Sequence, residues 1–212
     1  QLFMQGTTSA LTVSGTDTLD ATSTINIAGS GNQNFPALSY GNLILSGGGL
    51  KTPASLSTSI AGDFTLGAST TYRGTSNNPT VNLAGNFTNS GTFNSGTGIF
   101  TMNGSSTQTL TGATTFSRLT ISNGGSPPNE ILSLNDDLTI ATTLTFSSGN
   151  IETGSNKVII PSGAAIVGAS SGTGWIAGNL QKFVAAGSST STFEVGSNGA
   201  SAPSLAYTPA SA

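Results

Sequence analysis

Apolar–polar–apolar triplets recur through most of the chain: Ile25-Asn26-Ile27, Phe64-Thr65-Leu66, Val81-Asn82-Leu83, Phe100-Thr101-Met102, Leu119-Thr120-Ile121, Leu138-Thr139-Ile140 and Leu144-Thr145-Phe146, with Leu43-Ile44-Leu45 as a variant. Successive side chains of an extended segment point to opposite faces, so each triplet sets two apolar groups on one side of a short strand. Most triplets are followed within two residues by Gly, Ser or Asn, which end strands. No window carries apolar residues at i, i+3, i+4 and i+7, the mark of a helix face. The chain is therefore predicted to be all-β.

Spacing predicts how the strands stack. Leu43, Phe64, Val81, Met102, Leu119, Leu138 and Val158 are separated by 21, 17, 21, 17, 19 and 20 residues. A steady interval near twenty, without Asn-Gly or Asp-Gly hairpin turns between every pair, points to the coils of a parallel β-helix, or β-solenoid, rather than a meander. Like side chains would then form columns inside, with Thr, Ser and Asn outside and Gly47-Gly48-Gly49 and Gly124-Gly125 at corners of positive φ.

A longer repeat overlies the short one. Ile25, Ile27, Gly29 and Gln33 return 75 residues later as Phe100, Met102, Gly104 and Gln108, and Asp63-Phe64-Thr65-Leu66 returns as Asp137-Leu138-Thr139-Ile140 after 74. Three regions follow: an N-terminal strand or cap (1–24), a solenoid of two repeats of about 75 residues (25–168), and a non-repeat β cap or assembly segment (169–212). The last region holds the single Trp, Trp175, and denser apolar residues.

Composition limits the chemistry. Of 212 residues none is Cys or His and 6% are charged, against roughly 25% in an ordinary domain. Disulfides, zinc sites of the usual ligand types, Cys nucleophiles and imidazole bases are excluded. Lys51, Arg73, Arg118, Lys157 and Lys182 stand singly in a chain of net charge -3, which leaves no basic stripe for nucleic acid. No stretch approaches the roughly 18 apolar residues of a membrane span. The opening residues lack a charged segment followed by an apolar core, so the chain reads as a soluble, processed product.

The stretches Ala84-Gly85-Asn86-Phe87-Thr88-Asn89-Ser90-Gly91-Thr92-Phe93, Phe100 to Leu110 and Phe116 to Gly124 resemble the repeats of large secreted proteins of gliding Gram-negative bacteria, commonly exported by the type IX pathway. The tail, Gly178-Asn179-Leu180-Gln181-Lys182 and then Thr190 to Gly196, is similar to the segment that often follows those repeats. The resemblance covers about residues 25 to 200 and implies an extracellular or cell-surface role, not an activity. Those proteins are usually very long with a C-terminal sorting domain, and no such domain is evident here. A fragment and a compact self-assembling subunit both fit.

Candidate sites are few. Assembly is expected at the two terminal regions, through Gln1, Leu2, Phe3, Met4, Leu11 and Val13 at one and Trp175, Phe183, Phe193 and Val195 at the other, with a second copy or a fibre as partner. Asp17-Thr18-Leu19 resembles a bacterial O-glycosylation acceptor, which makes Thr18 a modification candidate. Asp136-Asp137 is the sole adjacent carboxylate pair. It reads as a solvated corner rather than an acid–base pair, because Asp63 stands at the equivalent point of the other repeat. The same carboxylates with Glu130 are a calcium candidate, but neither β-roll nor EF-hand spacing is present, and no cofactor or metal is expected. Thr-x-Thr pairs such as Thr143-Leu144-Thr145 do not recur at the coil interval. The predicted role is a non-enzymatic extracellular structural protein acting by self-association; a glycan-binding adhesin module and a polysaccharide lyase or hydrolase are the alternatives.

Overall fold

The computed structural model describes residues 2–5, 19–36, 38–54, 56–125, 131–187, 191–197 and 205–207. The protein is a β-solenoid of about eight turns, and the one helical element among these residues is a 3-10 turn at Gly74–Ser76. Strand β1 (Leu2–Met4) precedes the coils. The first turn runs through β2 (Thr24–Ile27), β3 (Gln33–Phe35) and β4 (Ser39–Tyr40). The second comprises β5 (Asn42–Leu45), β6 (Gly49–Pro53) and β7 (Ser57–Ile60); the third, β8 (Phe64–Leu66), β9 (Thr70–Arg73) and β10 (Thr80–Leu83); the fourth, β11 (Phe87–Asn89), β12 (Thr92–Asn94) and β13 (Ile99–Met102).

From the fifth turn the strands lengthen and bend around corners. It consists of β14 (Gln108–Thr111) and β15 (Thr114–Ser122), and the sixth of β16 (Ile131–Leu134) and β17 (Leu138–Ser148). The seventh has β18 (Asn150–Ile160) and β19 (Ala165–Val167), and the eighth β20 (Ile176–Lys182). Three short strands follow: β21 (Ser191–Phe193), β22 (Val195–Gly196) and β23 (Leu205–Tyr207). All pairings between turns are parallel, and β21 with β23 forms a separate antiparallel pair.

The pairings define three faces. Face 1 stacks β1, β2, β5, β8, β11, β14, β16, the start of β18, the start of β20, and β22. Face 2 begins with β3, β6, β9 and β12 and continues through the first halves of β15 and β17, then the ends of β18 and β20. Face 3 stacks β4, β7, β10, β13, the ends of β15 and β17, and β19. At about 4.8 Å per rung the rod is roughly 40 Å long.

The inward members of the triplets form the expected columns. On face 1, Leu43 pairs with Phe64, Phe64 with Phe87, Phe87 with Leu110 and Leu110 with Leu134. On face 3, Tyr40, Ile60, Leu83, Met102, Ile121 and Phe146 follow one another. All of these are buried.

Two sequence expectations are redrawn. The seven positions chosen as one column divide among faces: Leu43 and Phe64 stack directly on face 1, but Val81, Met102 and Leu119 lie on face 3, and Leu138 and Val158 on face 2. Each turn carries up to three similar strands, and along face 1 its length varies, with steps such as Ile25 to Leu43 and Leu110 to Leu134. A mean interval near twenty therefore marks the number of turns but not the face. The 75-residue match is likewise local. Gln33 and Gln108 each accept the N–H of the glycine four residues earlier, Gly29 at 2.9 Å and Gly104 at 3.0 Å, yet Gln33 opens a strand on face 2 and Gln108 one on face 1. The ladder also crosses both expected boundaries, since β1 pairs with β2 and β20 with β18.

Corners bring backbone against backbone. Gly47, Gly48 and Gly49 take the expected positive φ. Gly124 has no such value. Gly112 has φ +90°, and a Cβ there would lie 1.8 Å from the Asn89 carbonyl oxygen of the preceding turn. Only glycine lets these two turns approach so closely.

Candidate functional site

The corners use most of the polar chemistry. Asn42 Oδ1 accepts the Asp63 N–H at 2.8 Å, Asp63 Oδ1 accepts the Asn86 N–H at 2.8 Å, and Asn86 Oδ1 accepts the Thr109 N–H at 2.8 Å. One corner of four successive turns is thus stitched by side chains that satisfy backbone donors the strands leave free. Asp136 and Asp137 act in the same way at a different corner, where face 1 passes into face 2. Asp136 Oδ2 accepts the Gly112 N–H from the turn before at 2.7 Å, and Asp137 Oδ1 accepts the Lys157 N–H from the turn after at 3.0 Å. The two carboxylates serve backbone donors in opposite axial directions. No group of three or more acidic, His or Cys residues with metal-binding arrangement occurs among the described residues; Glu130 lies outside them.

Inside the rod, polar groups are tied to corner carbonyls. Gln108 Nε2 donates to Leu83 O at 2.9 Å and Gly85 O at 2.6 Å. Lys51, fully buried, donates from Nζ to Gly29 O at 2.5 Å and Gly31 O at 3.1 Å. Burial holds the Lys51 ammonium below the usual lysine range, because a low-dielectric setting disfavours the charged form. Burial likewise pushes the Tyr40 and Tyr72 phenols well above theirs. Tyr40 donates to Pro36 O at 2.6 Å, whereas the Tyr72 hydroxyl has no hydrogen-bond partner among the described residues.

Aromatic residues of the first five turns pack in the core, whereas Phe3 and Phe183 are exposed. Eight rings from Phe35 to Phe116 form one connected cluster, with Tyr72 stacked on Phe93 at 4.8 Å and Phe87 touching Phe64, Phe93, Phe100 and Phe116 at 5.1–5.9 Å.

The assembly candidates separate onto the two ends. Leu2 and Phe3 lie on β1, the first rung of face 1, and are 46% and 54% exposed; the Met4 backbone pairs with Ile27. At the other end Phe183 is 56% exposed, Phe193 and Val195 are half-buried, and Trp175 is buried against the last turns. The Trp175 indole N–H finds no acceptor among the described residues. Lys182 Nζ meets Glu194 Oε2 at 2.9 Å and ties the end of β20 to the segment entering β22. Gln1, Leu11, Val13 and Thr18 lie outside the described residues.

Sequence reasoning missed Val167 on β19, which is 44% exposed, and the inward residue Ile166, which stacks on Leu144 yet is only half-buried. Among the described residues, four of the five exposed large apolar side chains, Leu2, Phe3, Val167 and Phe183, sit on terminal rungs or just beyond them; Leu56 is the exception. Also missed were the outward columns of face 3. Asn82, Thr101, Thr120 and Thr145 are consecutive partners, beside a second column of Ile99, Arg118 and Thr143. Their signal was present as the middle residue of each triplet, hidden by unequal turn lengths.

No family model, curated protein or solved structure matches the chain. No helix among the described residues is long and apolar enough to cross a membrane.

Proposed function

We propose that the chain is an extracellular structural protein, a β-solenoid subunit or segment of a surface fibre, filament or layer that acts by self-association rather than catalysis. The observation that carries this reading is the concentration of exposed apolar side chains at opposite ends of the rod. Exposed apolar groups beside open strand edges mark sites of association. Unlike surfaces at opposite ends favour head-to-tail contact, which builds open chains rather than closed dimers. Placement outside the cell rests on the sequence resemblance. Electron microscopy and light scattering of purified protein test the proposal: rods growing along their axis are expected, and monodisperse single particles at all concentrations would remove it.

A second reading, an adhesin-type module for extracellular polysaccharide, draws on the Asn82–Thr101–Thr120–Thr145 column, which repeats hydroxyl and amide groups along face 3. Saturable retention on a glycan array, abolished by Thr101→Val with Thr120→Val, would favour it; an array without binding alongside self-assembly favours the fibre.

A further inference from the structure

Three Asn-Gly pairs occur in the sequence, at Asn103, Asn123 and Asn198; the last lies outside the described residues. An asparagine before glycine is prone to self-modification, because a residue without a side chain leaves its backbone nitrogen free to close on the asparagine amide. At the first pair the Gly104 nitrogen, once it gives up its proton, attacks Cγ of Asn103. The N–Cγ bond forms, the Cγ–Nδ2 bond breaks and ammonia leaves. Water then opens the succinimide ring at either carbonyl and leaves aspartate or isoaspartate at position 103.

The fold treats the two described pairs differently. Asn123 is fully buried, donates from Nδ2 to Ser106 O at 2.8 Å and accepts the Gly125 N–H through Oδ1 at 3.1 Å. The Gly124 N–H is spent on Gly104 O at 2.8 Å. Both reacting groups of that pair are engaged. Asn103 is exposed, at the corner where β13 passes into β14, so protection there falls on the attacking nitrogen. Gly104 is buried and its N–H donates to Gln108 Oε1 at 3.0 Å. Gln108, 1% exposed, is fixed in turn by the bonds from Nε2 to Leu83 O and Gly85 O. A Cβ at position 104 would lie 2.5 Å from Ala84 O and 2.8 Å from Gln108 Cδ. Packing therefore demands the glycine that makes Asn103 reactive, and the side chain packed against it holds the hydrogen that must leave before attack. Gln33 clamps Gly29 in the same way, but Ala28 precedes that glycine and has no amide to attack.

We propose that Asn103 is a self-modification site of the folded protein, held back by Gln108 through the Gly104 N–H. The product matters to the ladder. Isoaspartate lengthens the backbone between the Asn103 N–H, which donates to Leu83 O of the turn before, and Gly104 O, which accepts the Gly124 N–H of the turn after.

The test incubates folded wild type, Gln108→Leu and Gln33→Leu in mildly alkaline buffer, with wild type also in urea, and reads conversion at Asn103 and Asn123 separately by peptide mass spectrometry. Wild type is expected to convert slowly at Asn103 when folded and fast in urea. Gln108→Leu should convert about tenfold faster than folded wild type at Asn103, the effect of one lost hydrogen bond, with Asn123 intact. Gln33→Leu, which loses the matching clamp, should stay at the wild-type rate. An unchanged rate in Gln108→Leu, an equal rise in Gln33→Leu, or a rise shared by Asn123 overturns the proposal. Should Gln108→Leu fail to fold, hydrogen exchange on wild type decides. A protected Gly104 amide with Asn103 slower than in urea upholds the clamp; an unprotected amide, or Asn103 converting as fast as in urea, overturns it.

Discussion

The two halves of the rod solve the same packing problem with different material. Turns one to four are built from separate strands of two to five residues, joined by glycine, asparagine and glutamine corners, and with Phe116 of the fifth turn they enclose a connected aromatic cluster. Turns six to eight enclose Leu138, Ile140, Leu144, Ile151, Val158, Ile160 and Ile176. There β17 and β18 run for 11 residues each and pair on two faces, with a register shift at each bend. Rings span the interior and contact several turns at once, so the first half tolerates broken strands. Aliphatic residues reach less far, and the second half keeps longer, better-paired strands instead. Side-chain reach and backbone continuity can therefore substitute for one another in holding turns together.

Truncation at the centre of each half gives the sharpest comparison. Phe87→Ala removes a ring touching four others and is expected to cost about 3–5 kcal/mol, whereas Leu144→Ala should cost about 2–4 kcal/mol; urea unfolding of both variants measures the difference. Equal costs would mean that the ring cluster adds nothing beyond buried area.

The next effect is alkaline. Tyr40 and Tyr72 lie in the first half and hold their protons in the folded state beyond the pH at which an unfolded tyrosine loses its own, near 10. The folded state then binds more protons than the unfolded one, so stability falls as pH rises past about 10, by about 1.4 kcal/mol per pH unit for each tyrosine. Tyr72→Phe should flatten part of that fall in thermal melts between pH 9 and 12, and an unchanged profile would show that the phenol is not desolvated.

These residues also show how far the sequence could be read. The triplets announced strands and their buried side directly, because alternation has the same period as the backbone. They did not announce the face, since Leu43, Leu119 and Leu138 sit in locally similar strands on three different sides. The corner role of Asp63 and Asp137 was legible from their shared position before a strand. The inward path of Lys51 was not, for its burial depends on carbonyls of Gly29 and Gly31 supplied by the previous turn. Of the terminal candidates, Leu2, Phe3 and Phe183 are exposed and Trp175 is buried. Val167 escaped notice because Ala165-Ile166-Val167 carries no polar residue to mark its outward side; it faces outward on β19, in the column that follows Thr145.

Smaller effects separate corner from core. Asp63→Ala removes an acceptor for the Asn86 backbone N–H and side-chain amide and should cost about 1–2 kcal/mol, with a similar loss for Asp137→Ala in the second half. Calorimetry showing no loss for either would mean water replaces the carboxylate freely.

Smallest is the pH signature of Lys51. Its folded pKa is depressed below the ordinary 10.5, so between those two values the unfolded state binds more protons and stability increases with pH. Wild type should gain on Lys51→Gln as pH rises from 7 toward 10, and parallel profiles would place the ammonium in water. Association itself should change little between low and moderate salt, because few charges are available to screen.

Stacking of successive turns is tested most directly by pulsed electron paramagnetic resonance on face 3. Ser39, Ser59, Asn82, Thr101, Thr120, Thr145 and Val167 occupy consecutive outward rungs there. Spin labels at residues 59 and 145, and at 39 and 167, should lie roughly 19 Å and 29 Å apart, a rise of about 4.8 Å per rung. Separations that fail to grow with rung number would contradict a parallel solenoid.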